Sequence, residues 1–209
     1  MAKTLITSVL VLMLASLVWL VYTQGLRVFT KEQARQLVVK QTQPALPQVI
    51  LLDATDSTHA LRSWTMQQNK LVIVEFVYTR CNAICRSLGA EFQQLQAIIQ
   101  KKNLQSRVGL LSISFDPEHD TPKVLAAYAA RLKADANIWH FATVKNHNQL
   151  ATLLNFFGIT VIPDELGGYQ HNAALLLTDS QGKLVDVADI NQTQVILDTW
   201  LKKYASVGK

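Results

Sequence analysis

The chain is poor in cysteine, with two among 209 residues. That excludes the multi-bridge framework on which small secreted domains depend. It has no dense stripe of lysine and arginine, no aromatics interleaved with one and no recognised nucleic-acid module. These absences argue against a nucleic-acid partner. The net charge of +5 is mild; a mixed, solvated surface accounts for most of it, and the excess leaves room for an acidic docking partner. There is no internal repeat and no low-complexity tract.

Charge is also missing from one place in particular, between Lys3 and Arg27. The stretch TLITSVLVLMLASLVWLVY fills residues 4–22, and roughly 20 apolar residues in a helix span the hydrocarbon of a bilayer. Trp19 and Tyr22 fall near its end, where amphipathic rings favour the interface. A cleavable signal has a shorter apolar core, about 7–15 residues, and an A-x-A-like site; VYTQGLRVF follows here instead. The expectation is a retained anchor over residues 1–26, a linker over 27–46 and one globular domain over 47–209. Neither cysteine lies near the end of the apolar run, so a lipid anchor has no acceptor there. Lys3 and the terminal amine favour an internal N-terminus, while Arg27, Lys31, Arg35 and Lys40 weigh the other way. Long domains translocate largely regardless of charge, so the domain is expected on the exported, periplasmic side.

Beyond the anchor, apolar runs alternate with helical patterns. Thr30 with Gln33 makes a capping box for a helix that QTQPALP ends. PQVILLD (47–53), KLVIVEFVYT (70–79), RVGLLSISF (107–115) and NIWHFATV (137–144) read as strands, the second and third as buried ones. DATDSTHALR has the composition of a turn or short hairpin. After the cysteines, Ile84, Leu88, Phe92, Leu95, Ile98 and Ile99 line one side of a helix. Thr121 and Pro122 open another, and NHNQLATLLNFFG a third that ends near Gly158. IPDELGGYQ reads as a loop, with His171 starting the strand after it. HNAALLLTDSQGKLVDV reads as a hairpin and NQTQVILDTWLKKY as a last amphipathic helix. Strands alternating with helices imply an α/β fold with a partly parallel sheet covered on both faces. A cysteine pair that leaves a central strand and opens a helix is the arrangement of a thioredoxin-like domain.

The chemistry concentrates at Cys81 and Cys85. Positions i and i+4 share a helical face, and unpaired N–H groups with the positive end of the helix dipole lower a thiol's pKa. Two such thiolates can close to a disulfide or hold a soft metal ion. Zinc would call for four ligands, whereas thiolate with imidazole suits Cu(I). A histidine on a returning loop is then needed. Of the five, His171 follows the glycine-bearing DELGGYQ; His59, His140 and His147 look like surface or packing residues.

EFVYTRCNAIC, SISFDPEHDTP and GYQH before an apolar strand together resemble the Sco/SenC family. These are membrane-anchored, thioredoxin-like copper proteins that help assemble the CuA centre of cytochrome c oxidase. The resemblance covers roughly residues 45–205. It implies a copper ion, Cu(I) and also Cu(II), held by Cys81, Cys85 and His171. It implies as partners an oxidase subunit that carries CuA, or another copper acceptor, and a thiol-redox partner. The chain departs from the family pattern at Asn82 and Arg86, where prolines are expected, and at His119, where the turn carries arginine. Asp116, Asp120 and Thr121 have a structural reading, with Asp116 closing a turn and Thr121 as cap, and a supporting role beside the metal as the other. Glu75 and Tyr78 read as edge or packing residues. The expected function is copper delivery to, or preparation of, CuA. The competing one is thiol–disulfide exchange through Cys81 and Cys85, for which thioredoxin-type enzymes use a loop one residue shorter. A structural disulfide in an anchored interaction module and a peroxidase are weaker alternatives.

Overall fold

A computed structural model describes residues 2–23, 30–80, 84–164, 168–190 and 193–204, without the side chains of residues 22, 84–88 and 194. Helix α1 (Ala2–Tyr22) is long and apolar enough to cross a membrane, and its window of mean hydropathy 2.4 is exposed throughout. Helix α2 (Lys31–Thr42) begins with the expected capping box: the Thr30 hydroxyl accepts from Gln33 N–H, and the Gln33 side chain accepts from Thr30 N–H. It lies against the domain through buried Val39, and Lys40 reaches Asp186 at 3.3 Å.

Seven strands form the main sheet in the order β2-β1-β5-β4-β3-β8-β9. The centre is parallel: β3 (Leu71–Val77) beside β4 (Val108–Ser114), and β4 beside β5 (Trp139–Val144). The crossovers contain α4 (Ile84–Lys101) and α5 (Pro122–Arg131). Antiparallel strands flank this centre, β1 (Ile50–Asp53) and β2 (Thr58–Ala60) on one side, β8 (Leu175–Thr178) and β9 (Leu184–Ala188) on the other. This is the mixed α/β, thioredoxin-like architecture anticipated from the alternation of patterns.

Every residue of β3 and β4 is buried, because both faces of the sheet are covered. Val72, Val74, Phe76 and Tyr78 enter one core with Phe157 and Leu176; Leu71 and Ile73 enter the other with Phe92, Leu95, Leu110 and Trp139. Strand alternation assigns Glu75 to the second side. Helix α6 (Leu150–Phe157), preceded by a 3-10 turn at His147–Gln149, ends at Gly158 in the left-handed conformation, φ +64°. Helix α7 (Thr193–Tyr204) is tied to β9 by Trp200 Nε1 donating to Asp186 Oδ2 at 3.1 Å.

Four local features differ from expectation. A helix α3 (Leu61–Gln68) follows the first hairpin; Leu61, Trp64 and Thr65, spaced i, i+3, i+4, are its buried stripe. Thr121 occupies the N-cap of α5 with Pro122 first in the helix, but its side chain makes no capping bond. IPDELGGYQ is framed by a two-stranded ribbon, β6 (Val161–Pro163) paired with β7 (Tyr169–His171). His171 therefore ends β7 rather than starting the apolar strand β8.

Candidate metal and redox site

Strand β3 carries the chain from the middle of the sheet to Tyr78, Thr79 and Arg80. Cys81 follows and lies outside the described residues. Cys85 occupies the first turn of α4, and its side chain also lies outside them. The metal reading therefore has its third residue, His171, as its described member. Among the described residues, no three histidine, cysteine or acidic side chains are grouped to hold a metal.

His171 is buried, 7% exposed, with its ring 5.0 Å from that of Phe115 and 6.4 Å from that of Tyr78. Burial lowers its pKa, against a smaller upward pull from the Asn172 carbonyl. The neutral ring donates Nδ1–H to that carbonyl at 3.1 Å, which puts the lone pair on Nε2. A neutral imidazole oriented through its other nitrogen is the form that ligates metals.

The ribbon that presents His171 is fastened on three sides. The Tyr78 hydroxyl donates to the Tyr169 carbonyl at 3.2 Å and accepts from Tyr169 N–H at 3.1 Å. Asn172 accepts from Thr160 N–H at 2.7 Å and donates to the Gly158 carbonyl at 3.0 Å. Asp164 Oδ1 accepts from Gly168 N–H at 2.7 Å. A Cβ at Gly168 would lie 2.8 Å from Asp164 Oδ2 and 3.1 Å from the Tyr78 hydroxyl, so a larger residue there would push on the Asp164 carboxylate and the Tyr78 hydroxyl that hold the ribbon. Arg35 of α2 donates to the carbonyls of Phe157 and Gly158, which joins α2 to the same corner.

The Asp-Pro turn after β4 holds the residues that precede Cys81. Buried Asp120 accepts from Thr79 N–H at 3.0 Å, from the Thr79 hydroxyl and from the Ser114 hydroxyl. Asp116, 4% exposed, pairs with Arg80 at 2.9 Å and with His119 Nδ1 at 3.0 Å. Bonding to Asp116 raises the Arg80 pKa further above its ordinary value, so the guanidinium is firmly charged. Asp116 thus closes a turn, as expected, and also anchors the strand beside it.

The remaining histidines stay apart. His59 pairs with Asp53 at 2.8 Å and stacks on Trp64; His140 is half-buried against the same indole, and burial lowers its pKa. His147 opens the 3-10 turn. Tyr78, Arg80 and Asn172 escape sequence reasoning. Their partners lie 91, 36 and 14 residues away, and no local pattern records such pairings. Glu75 is not at an edge: it is 1% exposed in the central strand, with the Ser112 hydroxyl donating to Oε1.

A family model described as SCO1/SenC matches residues 51–206. A curated relative from Bacillus subtilis (strain 168), the SCO1 protein homolog, is 28% identical over 115 residues, 54% of this chain. The match spans 58% of that relative's length. Three solved structures share the fold. A SCO1/SenC family lipoprotein from Bacillus anthracis aligns with a TM-score of 0.68 at 21% identity, over 78% of this chain and 96% of that one. Arabidopsis thaliana ScoI with copper bound aligns at 0.64 and 17%, over 77% and 99%. BsSco, described as having a disulfide switch and as a member of the Sco family of cytochrome c oxidase assembly proteins, aligns at 0.62 and 20%, over 80% and 99%.

Proposed function

The chain belongs to the SCO1/SenC family, and from that premise we propose that it is a membrane-anchored copper-binding protein that delivers copper to, or prepares, the CuA site of cytochrome c oxidase. Copper is its cargo. Cys81, Cys85 and His171 are the proposed ligands, and His171 carries the assignment. It is a buried, neutral imidazole whose Nδ1–H is committed to the Asn172 carbonyl, with the soft-metal preference of an N,S donor set in its favour. The anchor is α1, with the domain on the periplasmic side. Holding the donor in the acceptor's membrane raises the effective concentration for ligand exchange.

The departures from the family pattern have local consequences. His119 stands where the family carries arginine, and Arg80 supplies a guanidinium to Asp116 instead. Without proline at positions 82 and 86, the segment that carries the cysteines has two fewer fixed φ angles than the family pattern. A second use of the same thiols, exchange with partner cysteines, is supported by the disulfide switch of BsSco.

The test is an anaerobic Cu(I) titration of the reduced, detergent-solubilised full chain against a competing chelator. Tight one-to-one binding is expected, weakened strongly in Cys81→Ala, Cys85→Ala and His171→Ala. His171→Ala should leave disulfide exchange largely intact. Loss of exchange with copper binding retained would reverse the ranking.

A further inference from the structure

Strands β3 and β4 run parallel from one pole of the domain to the corner where Thr79 meets Asp120. At about 3.3 Å per residue, the start of β3 is roughly 20 Å from that corner. A cleft of about 120 Å³ opens at this far pole. Asn69, Lys70, Ser106, Arg107, Ser180 and Tyr204 are among the residues that line it. Two are cations, and no described residue of the lining is acidic.

The sheet itself brings the two cations together. Leu71 stands opposite Val108, and Leu71 N–H donates to the Arg107 carbonyl at 3.0 Å. The same register, one residue back, sets Lys70 beside Arg107. Like charges side by side across a sheet are destabilising, and among the described residues neither of these makes an ion pair. Lys70 is held in place by packing. It is half-buried, and a Cβ at Gly109 would lie 3.0 Å from its Cε, so its stem fills the notch that glycine leaves on β4. Its one hydrogen bond among the described residues, from Nζ to the Gln105 carbonyl, is long at 3.5 Å. Burial lowers its pKa, because the ammonium has lost water without gaining a carboxylate.

Other basic residues of this pole have a structural use. Lys101, Lys202 and Lys203 lie in the last turns of α4 and α7, where cations offset the helix dipole. Lys102 pairs with Asp198 at 2.7 Å. Arg107 belongs to no helix, and Lys70 lies over β4. The hydroxyls of Ser106 and Ser180 make no hydrogen bond among the described residues. Asp179, next to Ser180, has its Oδ1 committed to the N–H groups of Gln181 and Lys183, each at 2.9 Å. Tyr204 forms a wall, with its hydroxyl donating to the Val185 carbonyl at 3.1 Å.

We propose that this cleft binds a phosphate group, free or as a monoester, through Lys70 and Arg107, with the Ser106 and Ser180 hydroxyls as further donors. A phosphate monoester carries about −1.5 to −2 charge at pH 7 and three strong acceptor oxygens, which matches two adjacent cations without a counter-charge. The guanidinium fork meets two phosphate oxygens at once, and the ammonium serves as a point charge. Pockets that enclose drug-sized ligands run to roughly 300–1,000 Å³. This cleft is smaller, so it takes the phosphate group and leaves the rest of a monoester outside. The group reaches it either on a soluble molecule or on a lipid headgroup. The site is separate from the metal and redox corner and does not rest on the copper reading.

The test titrates inorganic phosphate into the metal-free, detergent-solubilised full chain at neutral pH and constant ionic strength, with backbone amides followed by NMR. Saturable one-to-one shifts at Ser106, Arg107 and Ser180 are expected, with His171 unmoved. Lys70→Gln and Arg107→Gln should each raise the dissociation constant roughly 10-fold. Lys101→Gln removes an equal charge from the end of α4 and should leave it unchanged. Equal shifts with chloride, an equal loss in all three variants, or no loss in the first two overturns the proposal. If either of those two variants misfolds, the side-chain nitrogen signals of native Lys70 and Arg107 decide: both should move with phosphate, and fixed signals overturn the proposal. A second arm places the full chain in nanodiscs with or without phosphatidic acid. The same shifts with phosphatidic acid alone assign a lipid headgroup as the source. Their appearance only on adding glycerol 3-phosphate assigns a soluble monoester, and a response to neither overturns the proposal.

Discussion

Tyr78 and Tyr169 are joined twice, the hydroxyl of one meeting both backbone groups of the other at 3.2 and 3.1 Å. The bond pair fastens the β7 ribbon to the end of the central strand, two residues from His171. Tyr78→Phe removes both bonds and leaves the ring in place. Each is worth about 0.5–1.5 kcal/mol. Faster amide exchange at Tyr169 and weaker Cu(I) retention are expected, with global stability lowered by about 1–2 kcal/mol. Unchanged protection at Tyr169 would remove Tyr78 from any part in placing the histidine.

Asp120→Asn keeps the shape of a buried group that accepts from Thr79 twice and from Ser114 once. An amide has one oxygen, so at least one of these three bonds is lost or must reverse its direction. Hydrogen bonds to a charged group contribute about 1.5–3 kcal/mol, and the urea midpoint should fall accordingly. The rate of thiol alkylation at Cys81 should change with it, because Thr79 is two residues upstream. An altered midpoint with an unaltered alkylation rate would make Asp120 a stability residue alone.

Glu75 also ties stability to pH. Its folded pKa is raised, from 4.5 to about 8. The folded state therefore holds the proton more tightly than the unfolded chain. That contribution is fully present below 4.5 and is lost as pH rises toward 8. Glu75→Gln should be more stable than the native protein at pH 8.5 by a few kcal/mol, at about 1.4 kcal/mol per pKa unit, and close to it at pH 4.5. Urea unfolding at the two values measures this; an equal difference at both contradicts the shift.

His140 and His171 pull the other way, since burial lowers both from 6.5. Below 6.5 the unfolded chain takes protons that these buried rings refuse, so stability falls as pH drops from 6.5 toward their folded values. His140→Gln should flatten that acid limb without touching Cu(I) affinity. An acid limb unchanged in the variant would place the proton uptake elsewhere.

Asn172→Ala should loosen the corner where α6, β6 and β7 meet. It leaves Thr160 N–H and the Gly158 carbonyl without the Asn172 side chain. A loss of about 1–2 kcal/mol and a broadened His171 ring signal in NMR are expected. A sharp, unshifted ring signal would show that the ribbon is held without Asn172.

Much of the architecture was legible because it is local. The uncharged run of α1, the Thr30–Gln33 capping box, the buried runs of β3 and β4 and the stripe of α4 all record their environment in periodicity. Helix α3 was hidden by its brevity, and the β6–β7 ribbon because three-residue strands carry too little alternation to read.

The sequence by itself determined the residue types of the site: two thiols four apart at the start of a helix, and a histidine after a glycine-bearing loop, which is enough chemistry to suggest a soft metal or a disulfide. Only the tertiary structure decided the state of the groups around them. His171 is neutral because Phe115 and Tyr78 exclude water from it, Arg80 is paired because β4 ends beside β3, and Glu75 holds a proton because it lies in an apolar seam. Burial and charge pairing depend on neighbours distant in the chain, and a linear pattern does not encode which distant residues meet.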